Sequence, residues 1–290
     1  METIKFSVVI VSFKNVKVIT DCLDSLIKYN DIGNGLEIIV VDNSPDMLLF
    51  KHLVSRYKTI TVIKNENKGF GEANNVGAKS AKGQFLLFLN PDTILVEPIF
   101  KFAIEKFNSN QNLGLFGVKL VDTNQKDNMS FYFIDKTGFI YSQFIKTCNK
   151  LNFFIDGKMF ISGADLFIRK KTFMKCGMFD ENIFMYSEEA DLTRRIKKQG
   201  WKTEYFKDKS IIHLEGKSSE TKEDAIKRRL VSKKYYSKKY NLNFKKMVKK
   251  EINYEYLKFL FYKFTNNKKS KTQKKIVIIL KKFLIKETEV

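Results

Sequence analysis

The chain has 290 residues, 43% hydrophobic and 29% charged, which suffices for one large domain with an appendage or two small ones. Three cysteines (Cys22, Cys148 and Cys176) form no C-x-x-C pair, which excludes a disulfide scaffold or a cysteine zinc site and fits a reducing cytoplasm. No cleavable leader or 18-residue uncharged apolar run is present, so the expectation is a soluble or peripheral cytoplasmic protein. Lys and Arg number 53 against 32 Asp and Glu, a net charge of +21 that is unevenly spread. Residues 217–290 hold 23 basic against 7 acidic residues, and residues 1–216 hold 30 against 25. The expected organisation is therefore a near-neutral α/β body over 1–216 and a basic, aromatic, helical extension over 217–290.

Phe6–Ser12 is a continuous β-branched run, as in a strand buried on both faces. Val16–Tyr29 carries an apolar stripe at helical spacing. Glu37–Asp42, Ile60–Ile63 and Gln84–Leu89 read as further strands, with a helix over Gly71–Ser80. Strands alternating with helices imply βαβ units and a mainly parallel, doubly wound sheet. Residues 122–160 are aromatic and irregular. Beyond them, Ala164–Arg169 reads as a strand and Ala190–Gln199 as an amphipathic helix stopped by Gly200. Lys202–Phe206 and Ile211–His213 read as two short final strands. Ligands bind such sheets at the carboxyl ends of the strands, which directs attention to Ser12, Asp42, Asn43, Asn65–Asn67 and Asn90-Pro91-Asp92.

Three enzyme classes lack their residues. There is no G-x-x-x-x-G-K-[ST] loop and no G-x-G-x-x-G turn after the first strand. Serine hydrolysis lacks a G-x-S-x-G elbow and has only His52 and His213 to draw on. His52 is expected to lie exposed on the second helix. Two other readings of the charge remain open. Binding to nucleic acid would use +21 but leave the acidic cluster near residue 189 unexplained. A nucleotidyltransferase would need a glycine-rich basic loop after the first strand.

An ordered series of segments carries a more specific signal: Ser7–Phe13, Ile39–Ser44, Asn67–Gly77, Phe88–Asp92, Ser162-Gly163-Ala164, Phe179-Asp180-Glu181, Ser187–Leu192 and Ile211–His213. The series resembles the family-2 inverting glycosyltransferases of GT-A fold (nucleotide-diphospho-sugar transferases), in particular the rhamnosyltransferase-like branch, over about residues 4–216. The resemblance implies transfer of a sugar, with inversion, from a nucleoside diphosphate sugar to a hydroxyl of a saccharide acceptor in cell-surface polysaccharide synthesis. dTDP-rhamnose, UDP-galactose and UDP-glucose are candidate donors, and a polyprenyl-diphosphate-linked saccharide is a candidate acceptor.

The resemblance assigns nucleotide-sugar binding to Ser12, Asp42, Asn67, Gly69, Asn74, Asn90, Asp92 and Gly163. Asp42 also reads as a turn former within Asp-Asn-Ser-Pro, and Gly69 as the turn before a helix. The family's D-x-D motif appears here as Asn90-Pro91-Asp92, with one carboxylate replaced by an amide. Asp92 and His213 become the candidate ligands of Mg²⁺ or Mn²⁺, a hard ion that retains waters and phosphate oxygens. Glu188-Glu189-x-Asp191 matches the acidic motif that supplies the general base, and Glu189 stands where the family usually has Asp. Glu189 is the first candidate, and the longer arm leaves Asp191 and Glu188 open.

The tail places basic pairs among aromatics, as in Lys233-Lys-Tyr-Tyr236. Residues 274–285 set lysines beside an apolar stripe, the pattern of a helix lying on an anionic membrane. The expected partners are therefore the donor, the acceptor, an anionic surface on the inner face of the plasma membrane, and a second copy through the tail, with no nucleic acid. Packing of the stripe on the body is the alternative.

Overall fold

The computed structural model describes residues 4–214 and 222–286. The elements of the first half are β1 (Phe6–Ser12), α1 (Val16–Lys28), β2 (Leu36–Asp42), α2 (Leu48–Arg56), β3 (Thr61–Lys64), α3 (Phe70–Ser80), β4 (Phe85–Leu89), β5 (Thr93–Leu95), α4 (Phe100–Ser109) and β6 (Leu113–Val121). Then come β7 (Phe131–Phe133), α5 (Phe139–Lys150), β8 (Met159–Ile161), β9 (Asp165–Arg169), α6 (Lys170–Lys175), α7 (Glu188–Lys198), β10 (Lys202–His213), α8 (Lys222–Lys239), α9 (Phe244–Thr265) and α10 (Asn267–Lys286).

One eight-stranded sheet has the order β3-β2-β1-β4-β9-β6-β10-β5. β1 pairs in parallel with both β2 and β4, and its Val and Ile run is interior except for half-buried Val11 near its carboxyl end. The chain winds outward through β2 and β3, then crosses back to place β4 on the other side of β1. The gap between β1 and β4 is thus a topological switch point, where ligands lodge in open α/β sheets. β9 runs antiparallel between β4 and β6, and β5 runs antiparallel to β10. Helices cover both faces. Ile19, Cys22, Leu23 and Leu26 of α1 enter one core with Phe6, Phe85 and Phe116, and Ala73 and Ala78 of α3 enter the other with Val9, Phe88 and Phe179.

The region that looks irregular in sequence is organised: β7 and β8 form a two-stranded ribbon, and α5 packs on it. The two short final strands are a single strand, β10, interrupted by a register shift against β6 between Phe206 and Ser210. β5, α4 and β6 occupy residues to which the sequence assigns no element. His52 is half-buried, its Nε2 3.4 Å from Thr20 Oγ1, because α2 packs against α1.

The expected division between residues 216 and 217 lies outside the described residues. α8, α9 and α10 build their own small core from Ile226, Leu230, Val248, Ile252, Val277 and Leu280. The apolar stripe of α10 is spent largely in that core, the arrangement in which the stripe packs and the lysines face outward. α8 also docks on the body, where Tyr236 meets Ile183 and Ala190. No described helix is long and apolar enough to cross a membrane.

Candidate active site

A cavity of about 1220 Å³ opens at the carboxyl ends of β1, β2 and β4. One wall comes from strand ends and the loops after them: Ser12, Asn43, Asn67, Asn90 and Asp92. The facing wall includes Gly163, Glu188 and Glu189, with Arg228, Lys233 and Tyr236 of α8 and Tyr254 of α9.

The polar groups of the first wall are held by one another. Asn65 Nδ2 donates to Asn43 Oδ1 at 3.0 Å, and Asn43 Nδ2 approaches Asn67 Oδ1 at 3.4 Å. The hydroxyl of Ser12 is buried and makes no hydrogen bond. A buried hydroxyl without a partner costs on the order of 1–3 kcal/mol, so its position at the cavity wall suits a bound polar ligand.

Asp92 and His213 come together from different parts of the chain. β5 pairs with the end of β10, setting His213 opposite Thr93, and Leu214 N–H donates to the Asp92 carbonyl at 2.9 Å. His213 Nε2 then lies 3.3 Å from Asp92 Oδ1, with both side chains only slightly exposed. One carboxylate oxygen and one imidazole nitrogen thus converge at the switch point. Among the described residues no cluster of three His, Cys, Asp or Glu forms. The pair fits a divalent ion that completes its shell with water and diphosphate oxygens. Asn90, the amide in place of the first acid, lines the cavity, and its carbonyl accepts from Thr93 Oγ1 at 2.7 Å.

The three side chains of the acidic motif point in different directions. Tyr186 and Ser187 both hold positive φ (68° and 89°), a left-handed double step that swings the start of α7 onto the cavity. Glu189 is half-buried, and its Oε1 accepts the backbone N–H of Gly163 at 3.1 Å. A Cβ on Gly163 would come within 2.4 Å of that oxygen, so the pairing requires glycine. Burial raises the Glu189 carboxyl above its ordinary value, and backbone N–H groups, Gly163 among them, draw it partly back. Glu188 is more deeply buried, with Oε2 unpaired. Its carboxyl is pushed well up by burial first, then by the neighbouring Glu189 charge and by Asp191.

Asp191 faces away from the cavity. Its carboxylate is fully buried and held by Arg195 Nε at 2.8 Å, Tyr240 Oη at 2.7 Å and Lys239 Nζ at 2.5 Å. Lys239 also reaches Asp180 at 2.6 Å, and Arg194 joins Asp135 and Tyr236. Asp191 therefore latches α8 to α7 and lies outside the cavity lining.

Three further expected residues do not line the cavity. Asp42 is completely buried, taking the Ser44 N–H at 2.8 Å and facing Lys64 Nζ at 3.3 Å within the turn. Asn43, its neighbour, reaches the cavity instead. Gly69 precedes α3 at φ +122°, tight against the Phe184 backbone, and does not line the cavity. Asn74 is buried and donates to the Phe70 carbonyl at 3.0 Å within α3. Sequence reasoning missed the part played by Arg228, Lys233 and Tyr236, although the Lys-Lys-Tyr-Tyr run was visible, because nothing local says that it folds back over the sheet.

Comparison with known proteins agrees with this geometry. Rhamnosyltransferase WbbL of Escherichia coli is 26% identical over 223 residues, covering 71% of this chain and 82% of WbbL. The poly(ribitol-phosphate) beta-N-acetylglucosaminyltransferase TarS of Staphylococcus aureus is 31% identical over 34% of this chain, which spans only 18% of TarS. The structure of TarS residues 1–349 with UDP-GlcNAc superposes with a TM-score of 0.55 at 19% identity, covering 80% of this chain and 66% of that one. The mannosyltransferase PcManGT of Pyrobaculum calidifontis, solved with GDP-Man and Mn²⁺, gives 0.60 at 13% identity over 82% and 65%. These superpositions establish the GT-A fold. The model of glycosyltransferase-like family 2 matches residues 4–231, reaching into α8, and the chain belongs to that family.

Proposed function

We propose that the protein transfers a sugar, with inversion, from a nucleoside diphosphate sugar to a hydroxyl of a saccharide acceptor, and that Glu189 is the general base. One observation carries this reading: Glu189, pinned by the Gly163 N–H, shares a single cavity with Asp92, whose carboxylate meets His213 at 3.3 Å. Ser12, Asn43 and Asn67 on the strand-end wall offer hydrogen-bond partners for the nucleoside. Asp92 and His213 would hold Mg²⁺ or Mn²⁺, which supplies compensation for diphosphate charge when bound. Asn90 lies next to that position with a neutral amide. Glu189 is accessible enough to reach an acceptor hydroxyl, and its raised pKa brings its basicity closer to the working pH. It takes the hydroxyl proton as the oxygen attacks the anomeric carbon and the diphosphate leaves. Glu188, beside it and more deeply buried, has its carboxyl pushed well up by burial and by the Glu189 charge, which favours its neutral form next to the base.

The relatives support the substrate class. WbbL is a rhamnosyltransferase and TarS an N-acetylglucosaminyltransferase, so rhamnosyl or N-acetylglucosaminyl transfer in cell-surface polysaccharide synthesis is the favoured reaction, with a lipid-linked acceptor. The test is a thermal-shift screen of UDP-, dTDP- and GDP-sugars with and without Mn²⁺, followed by transfer assays on the donor that stabilises most. Bound ligand stabilises by mass action, about 2.7 kcal/mol at a hundredfold excess over Kd. No stabilisation by any nucleotide sugar, or an unimpaired Glu189→Gln enzyme, overturns the proposal.

A further inference from the structure

Outside the cavity, the largest unexplained feature is apolar. On α5, Ile140 is 76% exposed and Phe139 and Phe144 are each 49% exposed, with Leu151 and Phe153 open just beyond the helix. On α9, Leu257, Leu260, Phe261 and Phe264 follow i, i+3, i+4, i+7 spacing on an exposed face, Phe264 at 86%. The two helices meet: Ser142 Oγ and Tyr254 Oη are 2.8 Å apart, and the Phe139 and Tyr254 rings are 6.3 Å apart. The two helices that carry these exposed apolar groups are therefore neighbours, with Phe139 the member of the α5 group that touches α9.

The surroundings are basic. Lys136, Lys146 and Lys150 are exposed along α5, and Lys263, Lys268 and Lys269 at the end of α9 and beyond. Residues 136–153 contain no acid, and residues 254–271 contain only Glu255, which Lys258 holds at 3.0 Å. A second copy would bring the same uncompensated lysines against this face. An anionic lipid surface complements it, because phenylalanines can enter the acyl boundary while lysines meet the headgroups. The same two helices supply Tyr141, Ser142, Lys146 and Tyr254 to the cavity wall, so the helices that carry the exposed apolar groups also line the cavity.

We propose that the α5–α9 face, and not the stripe of α10, seats the protein on an anionic bilayer. The cavity then opens at the lipid boundary, where an acceptor with a lipid tail would present its sugar; this last consequence rests on the transferase reading, whereas the membrane contact does not.

The experiment is co-sedimentation of the full chain with vesicles of phosphatidylglycerol and phosphatidylcholine, compared with phosphatidylcholine alone. Phe261→Ser with Phe264→Ser, and separately Ile140→Ser with Phe144→Ser, should each weaken binding to the anionic vesicles at least about tenfold, while Ile278→Ser on α10 changes it little. All these positions are exposed, and retention of the wild-type melting temperature reports that the variants are folded. Wild-type protein that ignores anionic vesicles overturns the proposal, as do variants that bind like wild type. A dimer in solution that the Phe and Ile variants dissociate overturns it in favour of self-association. Vesicle binding through this face by a chain that takes no nucleotide supports the surface and refutes the transferase reading instead.

Discussion

Gly163→Ala should disable the enzyme without unfolding it. The new Cβ would stand 2.4 Å from Glu189 Oε1, 3.2 Å from its Cδ and 3.3 Å from its Cγ. Ordinary contact is about 3.5 Å, so the carboxylate must retreat by about 1 Å. A catalytic group misplaced by that distance loses on the order of 10²-fold in rate, about 2.7 kcal/mol of barrier. Stability should fall less, because the obstructed atom ends a flexible side chain and one hydrogen bond to a charged group is worth about 1.5–3 kcal/mol at most. Initial rates with a matched donor and acceptor measure the effect, beside nucleotide affinity, which should stay within about threefold if only the base moves. Glu189→Asp in the Gly163→Ala background shortens the arm by about 1.5 Å and should recover at least part of the lost rate. A Gly163→Ala enzyme within threefold of wild type would refute the claim that this N–H positions the base.

Glu189→Gln should lower transfer by about 10² to 10⁴-fold with nucleotide affinity nearly unchanged. Asp191→Asn should act on stability instead: it leaves Arg195 and Lys239 facing a neutral group in a buried site, a loss of about 3 kcal/mol read as a lower Tm, with the folded enzyme keeping more activity than Glu189→Gln. Asp92→Ala should abolish divalent-dependent turnover and the extra thermal shift that Mn²⁺ gives with nucleotide, and persistence of that shift would remove Asp92 from the metal site. The Glu188 carboxyl is raised in the folded state, so the native protein holds a proton that the unfolded chain releases. Its contribution to stability is therefore full below the ordinary carboxylate pKa and is lost as pH rises toward the raised value. Glu188→Gln should consequently melt above wild type at pH 8, with the gap closing near pH 4, and an equal gap at both values would refute the assignment.

Much of the donor half of the site was legible because buried parallel strands announce themselves. Phe6–Ser12 and Phe85–Leu89 are unbroken apolar runs, and the polar residue that ends such a run must lie near the carboxyl edge where ligands gather. The pattern does not say which polar residue turns inward. Asp42 and Asn43 are adjacent, and only the register of the turn, with Ser44 N–H and Lys64 capturing the acid, decides that Asn43 faces the cavity. Asp191 was ambiguous for a different reason. Its partners Lys239 and Tyr240 lie nearly fifty residues downstream, and no local periodicity foretells that contact. The stripe on α10 was visible, but amphipathicity reports that a face is apolar and not what covers it. α5 was hidden altogether, since its aromatic residues are split between the β7–β8 ribbon, α9 and solvent and leave no single clean stripe.

The latch at Asp191 has a consequence for how such enzymes diversify. A single helix, α7, carries both Glu189 and Asp191 in its first turn, so the proposed base and one of the grips on the tail belong to the same element. Changes in α8 and α9 can reshape the pocket around the incoming hydroxyl while Ser12, Asn43 and Asp92 keep their positions. On the proposed reading, substitutions in the last seventy residues would alter acceptor choice and leave the donor site in place, provided that the Lys239 and Tyr240 grip on Asp191 survives.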